Sequence, residues 1–383
     1  MRDGTARERW KRLIIAGRTA WCALGRAASR ITRSSATVSL GPRGERRLFP
    51  WLGAMGWTYA GLLVVLVSVL YTLGDRWWPT ILILFGPRWI WGTPLLVLMP
   101  AILWRRPRSI GVIIVSAWLF LGPLSGMCIP ISWGGNRVKA VAEKFRVLTC
   151  NVHYANLDTD RLGRLISATA PDFVALQEWS PDYSLPKVFP QPGWYINTQQ
   201  CTCVASRYPI REQQVLSYSE HGLERTVVTC RYLIETPAGN VQFFNLVLIS
   251  PSDGLRAIRH HPERVGIDLQ ENINVRRLQS ELASRWAEAF PGPKLLAGDF
   301  NLPVESAIYR LYWSRYTNAF SVAGWGLGHT RFTPWHGVRI DHILVGPGWQ
   351  VERCDVGPDV GSDHRPVIAD ILWVGEPRLR SPN

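Results

Sequence analysis

The sequence predicts an α/β sandwich preceded by an N-terminal membrane region. Long apolar runs dominate residues 51–133, whereas the apolar runs after Phe145 are short and broken by Gly, Pro and Asn. Short runs of this kind are typical of strands, and only a few longer stretches have helical spacing. Because strands and helices do not alternate strictly, a mixed sandwich is favoured over a parallel βαβ sheet.

Residues 145–374 form the predicted folded domain. Its strands are predicted at 145–151, 172–177, 202–206, 226–234, 241–249, 294–298, 340–345 and 367–372. Its helices are predicted at 158–169, 264–290 and 303–314. No internal repeat is visible.

The formal net charge of +14 is concentrated near the N-terminus. Residues 1–48 hold 12 Arg and Lys against 3 acids, whereas residues 145–383 hold 23 against 24. A domain that binds duplex DNA would need an excess of basic residues to neutralise phosphates, and 145–383 has none. The basic tail, 1–48, fits either an amphipathic segment on an anionic membrane surface or a disordered tail.

Residues 49–135 form a predicted membrane anchor of about three transmembrane helices. The runs 51–74 and 110–134 are each long enough to cross a bilayer. Between them, 80–104 is interrupted by Pro87-Arg88, which leaves a short third span. Tryptophans cluster at the ends of these runs, as in an interfacial aromatic belt.

Arginine placement predicts the orientation of the anchor. The tail and the loop 105–108 are basic, which places both in the cytoplasm. Three spans of the inner membrane then leave the domain on the periplasmic or extracellular side. If the middle segment were re-entrant, the domain would face the cytoplasm instead.

The cysteines give a weak indication of compartment. An oxidising compartment would permit a pair such as Cys203–Cys230, although buried thiols are the favoured interpretation. Cys201 and Cys203 have no further ligands nearby in the sequence, so a zinc site is not indicated.

Segment 295–303 carries an acid and an amide directly after a buried apolar run. A turn at Gly298 is expected to end the strand, and Asp299 and Asn301 follow it. Alternation along an extended chain points both side chains the same way, beyond the end of the sheet. This arrangement suits binding a metal or activating a water next to a phosphate. Taken alone, it also fits a turn followed by a helix that begins near Pro303.

Four further motifs place polar groups at or near strand ends. Their residues are Asn151, Glu178, Asp341 and the pair Asp363–His364. Asp341 lies inside an apolar strand, where burial of a carboxylate requires a partner. A single shared site explains the five motifs better than five unrelated polar groups that happen to lie near strand ends.

In order and spacing, these motifs resemble those of the endonuclease/exonuclease/phosphatase superfamily. The resemblance covers about 145–374, and 298–301 (Gly-Asp-Phe-Asn) and 362–366 (Ser-Asp-His-Arg-Pro) are its most specific parts. It implies a four-layered α/β sandwich of two mainly antiparallel sheets and hydrolysis of phosphoester bonds. The bacterial membrane-anchored subfamily is the most similar.

The resemblance also implies a metal site. Glu178 would be the principal ligand, with Asn151 beside it and Asp363 contributing directly or through water. These are oxygen ligands, and no cluster of His and Cys accompanies them, which favours Mg²⁺ or Mn²⁺ over zinc.

The remaining residues take catalytic roles by the same resemblance. Asp299 would orient or deprotonate the attacking water, and Asn301 would hydrogen-bond the scissile phosphate. Asp341 would hold His364 in one tautomer, so that the imidazolium stabilises charge on phosphorus. Family mechanisms leave open whether the Asp or the His is the general base.

One residue expected from the resemblance is absent. The family usually has a His or Tyr near the end of the strand predicted at 241–249, where this chain has Val247 or Ile249. His260 or His261 could replace it, and both also fit an exposed loop.

The sequence therefore predicts a membrane-anchored, metal-dependent phosphoesterase. The alternatives are a catalytically weakened member that acts as a binding domain, and an outward-facing nuclease. The short linker 136–144 and the balanced charge of the domain favour a phosphoester at the membrane surface, such as a lipid head group, over long DNA. An arginine cluster within 256–277 could still line a groove for nucleic acid.

Overall fold

The structure is a computed structural model that describes residues 50–105, 109–130, 143–154, 157–219, 222–223, 228–252, 254–255 and 262–375. The predicted tail, 1–48, lies outside the described residues. So do 106–108 of the basic loop, the linker up to residue 142 and the pair His260–His261.

The N-terminal part of the described chain is helical. The long helix α1 (Pro50–Thr72) is followed by α2 (Pro79–Phe85), α3 (Thr93–Arg105) and α4 (Ile110–Leu119). A 3-10 turn at Arg88–Gly92 separates α2 from α3, and the chain bends by 85° there. Pro87 explains the break, because it cannot donate a backbone hydrogen bond and disfavours helix in the residue before it.

One described helix is long and apolar enough by itself to cross a membrane. It covers Trp51–Thr72, and a second crossing results only if the bent pair α2–α3 is one span. A signal sequence or the core helix of a soluble protein meets the same criteria of length and hydropathy. The apolar segment Ile110–Leu124 is shorter. Of the three predicted spans, the structure supports the first, and the other two remain predictions.

Two six-stranded sheets form the centre of the domain. Their longer strands are β1 (Glu143–Asn151), β2 (Phe173–Gln177), β3 (Tyr195–Gln199), β4 (Thr202–Ser206), β5 (Ile210–Val215), β6 (Thr229–Thr236), β7 (Gly239–Val247), β8 (Lys294–Asp299), β12 (Asp341–Val345), β13 (Trp349–Val356) and β14 (Val367–Trp373). The two-residue strands are β9 (Thr317–Asn318), β10 (Arg331–Phe332) and β11 (Gly337–Val338). The first sheet has the order β13-β14-β1-β2-β4-β3 and the second β5-β6-β7-β8-β12-β9. Only the pairs β1–β2 and β7–β8 are parallel among the described strands, so both sheets are mainly antiparallel, as predicted.

Helices cover the outer faces of the two sheets. These helices are α5 (Thr159–Thr169), α6 (Leu185–Val188), α7 (Val265–Ala289) and α8 (Ala307–Tyr312). A further short helix, α9 (Ala319–Ala323), instead packs Ala319 and Phe320 into the core between the sheets. Val147 faces the second sheet, whereas its neighbour Leu148 packs with α5. Phe243 faces the first sheet, whereas Phe244 packs with α7. Alternation of side chains along the strands therefore builds four layers in the order helix, sheet, sheet, helix.

The structure contains all eight predicted strands and also corrects three predictions. Strands β3, β5 and β13 were not predicted, because each lies at the edge of a sheet and exposes polar side chains instead of forming an apolar run. The helix expected from Pro303 begins only at Ala307, after Ser306 accepts a hydrogen bond from the Tyr309 N–H. Gly298 lies inside β8 and does not end it.

The N-terminal helices pack on the outer layer of the second sheet. Asp75, which follows α1, is fully buried and accepts hydrogen bonds from Ser306 Oγ at 2.5 Å and from the Ile308 N–H at 3.1 Å. Arg88 Nη2 lies 3.1 Å from Glu305 Oε2. From Leu52 onward the chain forms one compact unit, so these contacts join the predicted anchor to the domain directly.

In the described part of the domain, Cys203 and Cys230 are separate buried thiols. The disulfide that the sequence permitted is therefore not formed, and the favoured interpretation of buried thiols is confirmed.

Candidate active site

Two parallel strands bring the first polar pair together. β1 ends at Asn151, which is in register with Gln177 at the end of β2, so Glu178 follows at the same edge of the sheet. Glu178 has a backbone φ of +53°, which turns the chain away from the sheet. Asn151 Nδ2 donates to Glu178 Oε1 at 2.9 Å and to Asp299 Oδ2 at 3.0 Å. Asn151 therefore connects the first sheet with the second.

The second sheet contributes two neighbouring carboxylates. Asp299 ends β8 and Asp341 begins β12, and the two residues are direct partners in the antiparallel register. The residue before Asp299 is Gly298, with φ +149°, where a Cβ atom would lie 2.1 Å from the Leu246 carbonyl oxygen. The close parallel approach of β7 and β8 thus requires glycine at this position.

His364 completes a line of three buried side chains. Its Nδ1 lies 2.8 Å from Asp341 Oδ2, and its Nε2 lies 3.9 Å from Asp299 Oδ2. Because a carboxylate can only accept, Nδ1 carries the proton in this hydrogen bond. The Ser362 hydroxyl donates to the Asn151 carbonyl oxygen at 2.8 Å and accepts from the His364 N–H at 3.1 Å, which fixes the turn that carries the imidazole.

The electrostatics of this line shift two pKa values. Burial, followed by the charge of Asp341, raises the pKa of Asp299 to about 7. Burial alone would lower the pKa of His364, but the Asp341 and Asp299 carboxylates outweigh it and raise that pKa to about 9. At neutral pH the site therefore holds an imidazolium beside a carboxyl group that can take up a proton.

Asn301 lies next to Asp299 as its spacing predicted. Its backbone has φ +49°, and its N–H donates to Asp299 Oδ1 at 2.9 Å. Its Nδ2 donates to the Leu248 carbonyl oxygen at 2.8 Å and lies 3.1 Å from Asp299 Oδ2. The amide donors thus have internal acceptors, and a bound phosphate would compete with the Leu248 carbonyl group for them.

Asp363 and His153 lie at the open side of the site. Asp363 Oδ2 is 3.4 Å from Arg331 Nε, whereas its Oδ1 is buried and has no hydrogen-bond partner. His153 Nδ1 lies 3.3 Å from Glu178 Oε2 and 3.8 Å from Asp363 Oδ1. His153 was not predicted. Its position two residues after Asn151 was the available signal, because the chain turns directly after β1 and returns the imidazole to the strand end.

The segment that lacks the expected His or Tyr borders the site through its backbone. Val247 and Leu248 are buried, the Leu248 N–H donates to the Asp299 carbonyl oxygen at 3.0 Å, and the Ile249 N–H donates to Gln279 Oε1 at 3.0 Å. Within the described chain, these three residues supply no titratable side chain to the phosphate site.

The structure brings all seven predicted site residues together. Side-chain hydrogen bonds join Asn151, Glu178, Asp299 and Asn301 in one group and Asp341 with His364 in another. The two groups meet where His364 Nε2 lies 3.9 Å from Asp299 Oδ2, and Asp363 Oδ1 lies 4.0 Å from the same nitrogen.

Oxygen donors at the open side of this network suit a divalent ion. Glu178 and Asp363 are partly exposed carboxylates, and the buried Asp363 Oδ1 has an unused acceptor position. Hard oxygen donors of this type match Mg²⁺ or Mn²⁺. Asp299, Asp341 and His364 also lie close enough to hold an ion, within 4.8 Å of one another. However, His364 Nδ1 is occupied by Asp341, so this group is better suited to moving a proton.

Comparison with known proteins agrees with this geometry. The profile of the Endonuclease/Exonuclease/phosphatase family matches residues 148–364, more than half of the chain. The chain belongs to this family. The family predicted from the motifs is therefore confirmed.

Solved structures of the endonuclease/exonuclease/phosphatase family and of related enzymes are similar at low sequence identity. A family member from Beutenbergia cavernae is 19% identical, with 62% of this chain and 73% of that chain covered and a TM-score of 0.45. A 3′ phosphatase from Neisseria bound to product DNA is 18% identical, covering 59% and 98%, with a TM-score of 0.45. A mannosyl-6-phosphatase from Bacteroides thetaiotaomicron is 17% identical, covering 59% and 99%, with a TM-score of 0.44. No curated protein matches the sequence significantly.

Proposed function

We propose that this family member is a divalent-metal-dependent phosphoesterase held at a membrane by its N-terminal helices. The observation that carries the proposal is the buried line Asp341–His364–Asp299, which the Asn151 amide connects to the carboxylate of Glu178. An acid, an imidazole and a second acid in this order can accept a proton and stabilise negative charge at one point.

Glu178 and Asp363 would hold the metal, with Asn151 positioning Glu178. A bound Mg²⁺ or Mn²⁺ supplies positive charge that polarises a phosphoryl oxygen. The fit rests on the donor set and on the unused acceptor atom of Asp363.

The side chains of the buried line would perform the proton chemistry. Asp299, with its raised pKa, takes a proton from water as the water oxygen bonds to phosphorus. The imidazolium of His364, held by Asp341, stabilises the charge that develops on the phosphoryl oxygens. The ester oxygen leaves with the electron pair of the broken P–O bond. Since residues 247–249 offer no acid to protonate it, esters with stable leaving groups should react fastest.

The location of the enzyme is part of the proposal. The site-bearing domain packs directly on the N-terminal helices, which favours a substrate at the membrane surface. Positive-inside reasoning places the domain on the periplasmic side of the inner membrane. A phosphorylated lipid head group is favoured over long DNA because residues 145–383 carry no excess of positive charge.

A catalytically weakened binding protein is the second candidate. The observations in its favour are the absent His or Tyr and the internal hydrogen bonds of the Asn301 amide. Retention of the complete acid–imidazole line favours the enzyme.

Hydrolysis of bis-4-nitrophenyl phosphate by the full chain in detergent tests the proposal. We expect turnover with Mg²⁺ or Mn²⁺, loss of turnover with EDTA, and at least about a hundredfold loss in Glu178→Gln. Glu235→Gln is the matched control, since Glu235 is exposed on β6. Activity that survives EDTA or Glu178→Gln would contradict a metal mechanism.

A further inference from the structure

An apolar cleft lies beside the phosphate site. Its volume is about 320 Å³, within the range of about 300–1,000 Å³ that is typical of small-molecule sites. Its lining is mainly apolar and includes Phe85, Pro251, Leu255, Val338 and Ile340, together with the cation Arg331. None of the seven residues of the proposed catalytic and metal sites lines this cleft.

Two lining residues connect the cleft to the reacting groups. Arg331 forms a backbone bridge with His364, and its Nε lies 3.4 Å from Asp363 Oδ2. Ile340 directly precedes Asp341, and its carbonyl oxygen accepts from the Phe300 N–H at 3.0 Å. One end of the cleft thus adjoins the residues that would bind the phosphate, and Arg331 adds a positive charge there.

Another part of the cleft belongs to the membrane region. Phe85 is the last residue of α2, and its carbonyl oxygen lies 2.7 Å from His336 Nε2. Trp89 Nε1 donates to the Trp335 carbonyl oxygen at 3.1 Å. Trp89 and Trp335 are 53% and 78% exposed, so apolar surface continues from the cleft onto the bent helix pair. Amphipathic tryptophans of this kind are enriched where protein meets the lipid interface.

We propose that this cleft binds the apolar chain of a phospholipid-type substrate whose phosphate occupies the Asp299–His364 site. The inference rests on the proposed phosphoesterase function and specifies its substrate class. A ligand with a phosphate at one end and a hydrocarbon chain at the other matches the order of groups along the cleft: His364 and Asp363 first, then Arg331, then the apolar wall. The far end of the hydrocarbon chain would lie against Phe85 of α2, one of the apolar N-terminal helices. Such a substrate would reach the cleft from the lipid phase.

The test compares two diesters that differ only in the alkyl group, methyl 4-nitrophenyl phosphate and dodecyl 4-nitrophenyl phosphate. Both release 4-nitrophenolate, so the chemical step has the same leaving group. The full chain is assayed with Mg²⁺ in one detergent, and the measured quantity is the ratio of kcat/KM for dodecyl over methyl ester. Partition of the esters into micelles is the same for every variant, so a change of the ratio between variants reports on the protein.

Leu255→Asp places a charge in the wall of the cleft and should lower the ratio at least about tenfold, which corresponds to about 1.4 kcal/mol of lost discrimination. Leu216→Asp is the matched control, because Leu216 is also partly buried and does not line the cleft. It should leave the ratio within about twofold of the unchanged protein. Val338→Asp serves as a second cleft variant if Leu255→Asp does not fold, as judged by thermal unfolding.

The outcomes separate the two proposals. Metal-dependent turnover of both esters with a ratio that no cleft variant changes would overturn the lipid cleft and leave the phosphoesterase function intact. If neither ester shows metal-dependent turnover, the proposed phosphoesterase function is wrong, and the cleft proposal fails with it. A ratio that falls equally in Leu216→Asp would also contradict the assignment.

Discussion

Asp75 Oδ2 and Arg276 Nη2 lie 3.9 Å apart in the interior, with both side chains excluded from solvent. Arg276 Nη2 also donates to the carbonyl oxygen of Asn301 at 2.8 Å. Burial lowers the pKa of Arg276 to about 10, opposed by the charge of Asp75. Asp75, which follows the first apolar helix, therefore supplies the counter-charge for Arg276, and Arg276 in turn holds the backbone of Asn301 at the candidate site.

Asp75→Asn should destabilise the protein by about 3 kcal/mol, because it leaves the buried guanidinium without a counter-charge. Thermal unfolding of the full chain in detergent measures this. Asp268→Asn is the control, since Asp268 forms only a surface pair with Arg264 at 3.7 Å and its loss should cost less than about 1 kcal/mol. Equal effects of the two substitutions would show that the buried pair has no special role.

His364→Ala should reduce kcat by about 10²–10⁴-fold, because it removes the cation beside the phosphate. Asp341→Asn should cost about 10–100-fold, because the imidazole stays in place but loses the carboxylate that fixes its tautomer. Steady-state rates with bis-4-nitrophenyl phosphate measure both. A full-rate Asp341→Asn variant beside an inactive His364→Ala variant would contradict the partnership seen at 2.8 Å.

His153→Ala should weaken the binding of Mn²⁺ by about tenfold and that of Mg²⁺ less. The reason is that an imidazole 3.3 Å from Glu178 Oε2 offers a nitrogen donor, which suits Mn²⁺ better than Mg²⁺. Calorimetric titration of each ion measures this without reference to activity. His153→Asp is the companion variant and should shift the preference toward Mg²⁺, since it offers oxygen instead. Equal losses for both ions would exclude the nitrogen as a ligand.

A reporter fused after Asn383 should behave as exported. Alkaline phosphatase is expected to be active there and a fluorescent protein that folds only in the cytoplasm to be dark, whereas a reporter inserted in the loop 105–108 should give the reverse. The prediction follows from the basic residues of that loop and of the tail. Cytoplasmic behaviour at the C-terminus would make the bent pair α2–α3 a re-entrant segment.

The protein should lose stability between about pH 6.5 and pH 4 through His342, in addition to losses from other groups. Burial lowers the pKa of His342 to about 4, and its Nε2 lies 2.8 Å from the Leu302 carbonyl oxygen and its Nδ1 3.1 Å from Asn318 Nδ2. Below pH 6.5 the unfolded chain binds a proton that the folded chain does not, which favours unfolding by roughly 2–3 kcal/mol at pH 4. Denaturant unfolding of the protein and of His342→Gln across this range measures the difference. The variant should be less stable at neutral pH but should depend less steeply on pH.

The sequence was sufficient to predict which side chains lie together where those side chains follow the ends of strands. Asn151, Glu178 and Asp299 each follow an apolar run, and the end of an apolar run can be seen without a structure. The edge strands β3 and β13 were missed because one or both faces of such strands are solvent-exposed, so no apolar run marks them.

Contacts between distant segments were not predictable in this way. Asp75 is an ordinary loop acid in the sequence, and only its packing against Ser306 and Arg276 shows that it is buried. His153 looks like a residue of an exposed turn. Its spacing from Asn151 places it near the end of β1, but its contact with Glu178 depends on a backbone φ of +49°, which the spacing does not reveal.

The buried charges shared by the helices and the domain bear on how this protein can be re-engineered. Asp75 and Arg88 on one side complement Arg276 and Glu305 on the other, so each part carries the missing half of the other's ion pairs. A chimera that keeps residues 143–375 and replaces the first 130 by an unrelated anchor would leave Arg276 and Glu305 without their charged partners Asp75 and Arg88. The boundary that is obvious in the hydropathy of the sequence is therefore a poor choice for a chimera, because it separates both ion pairs.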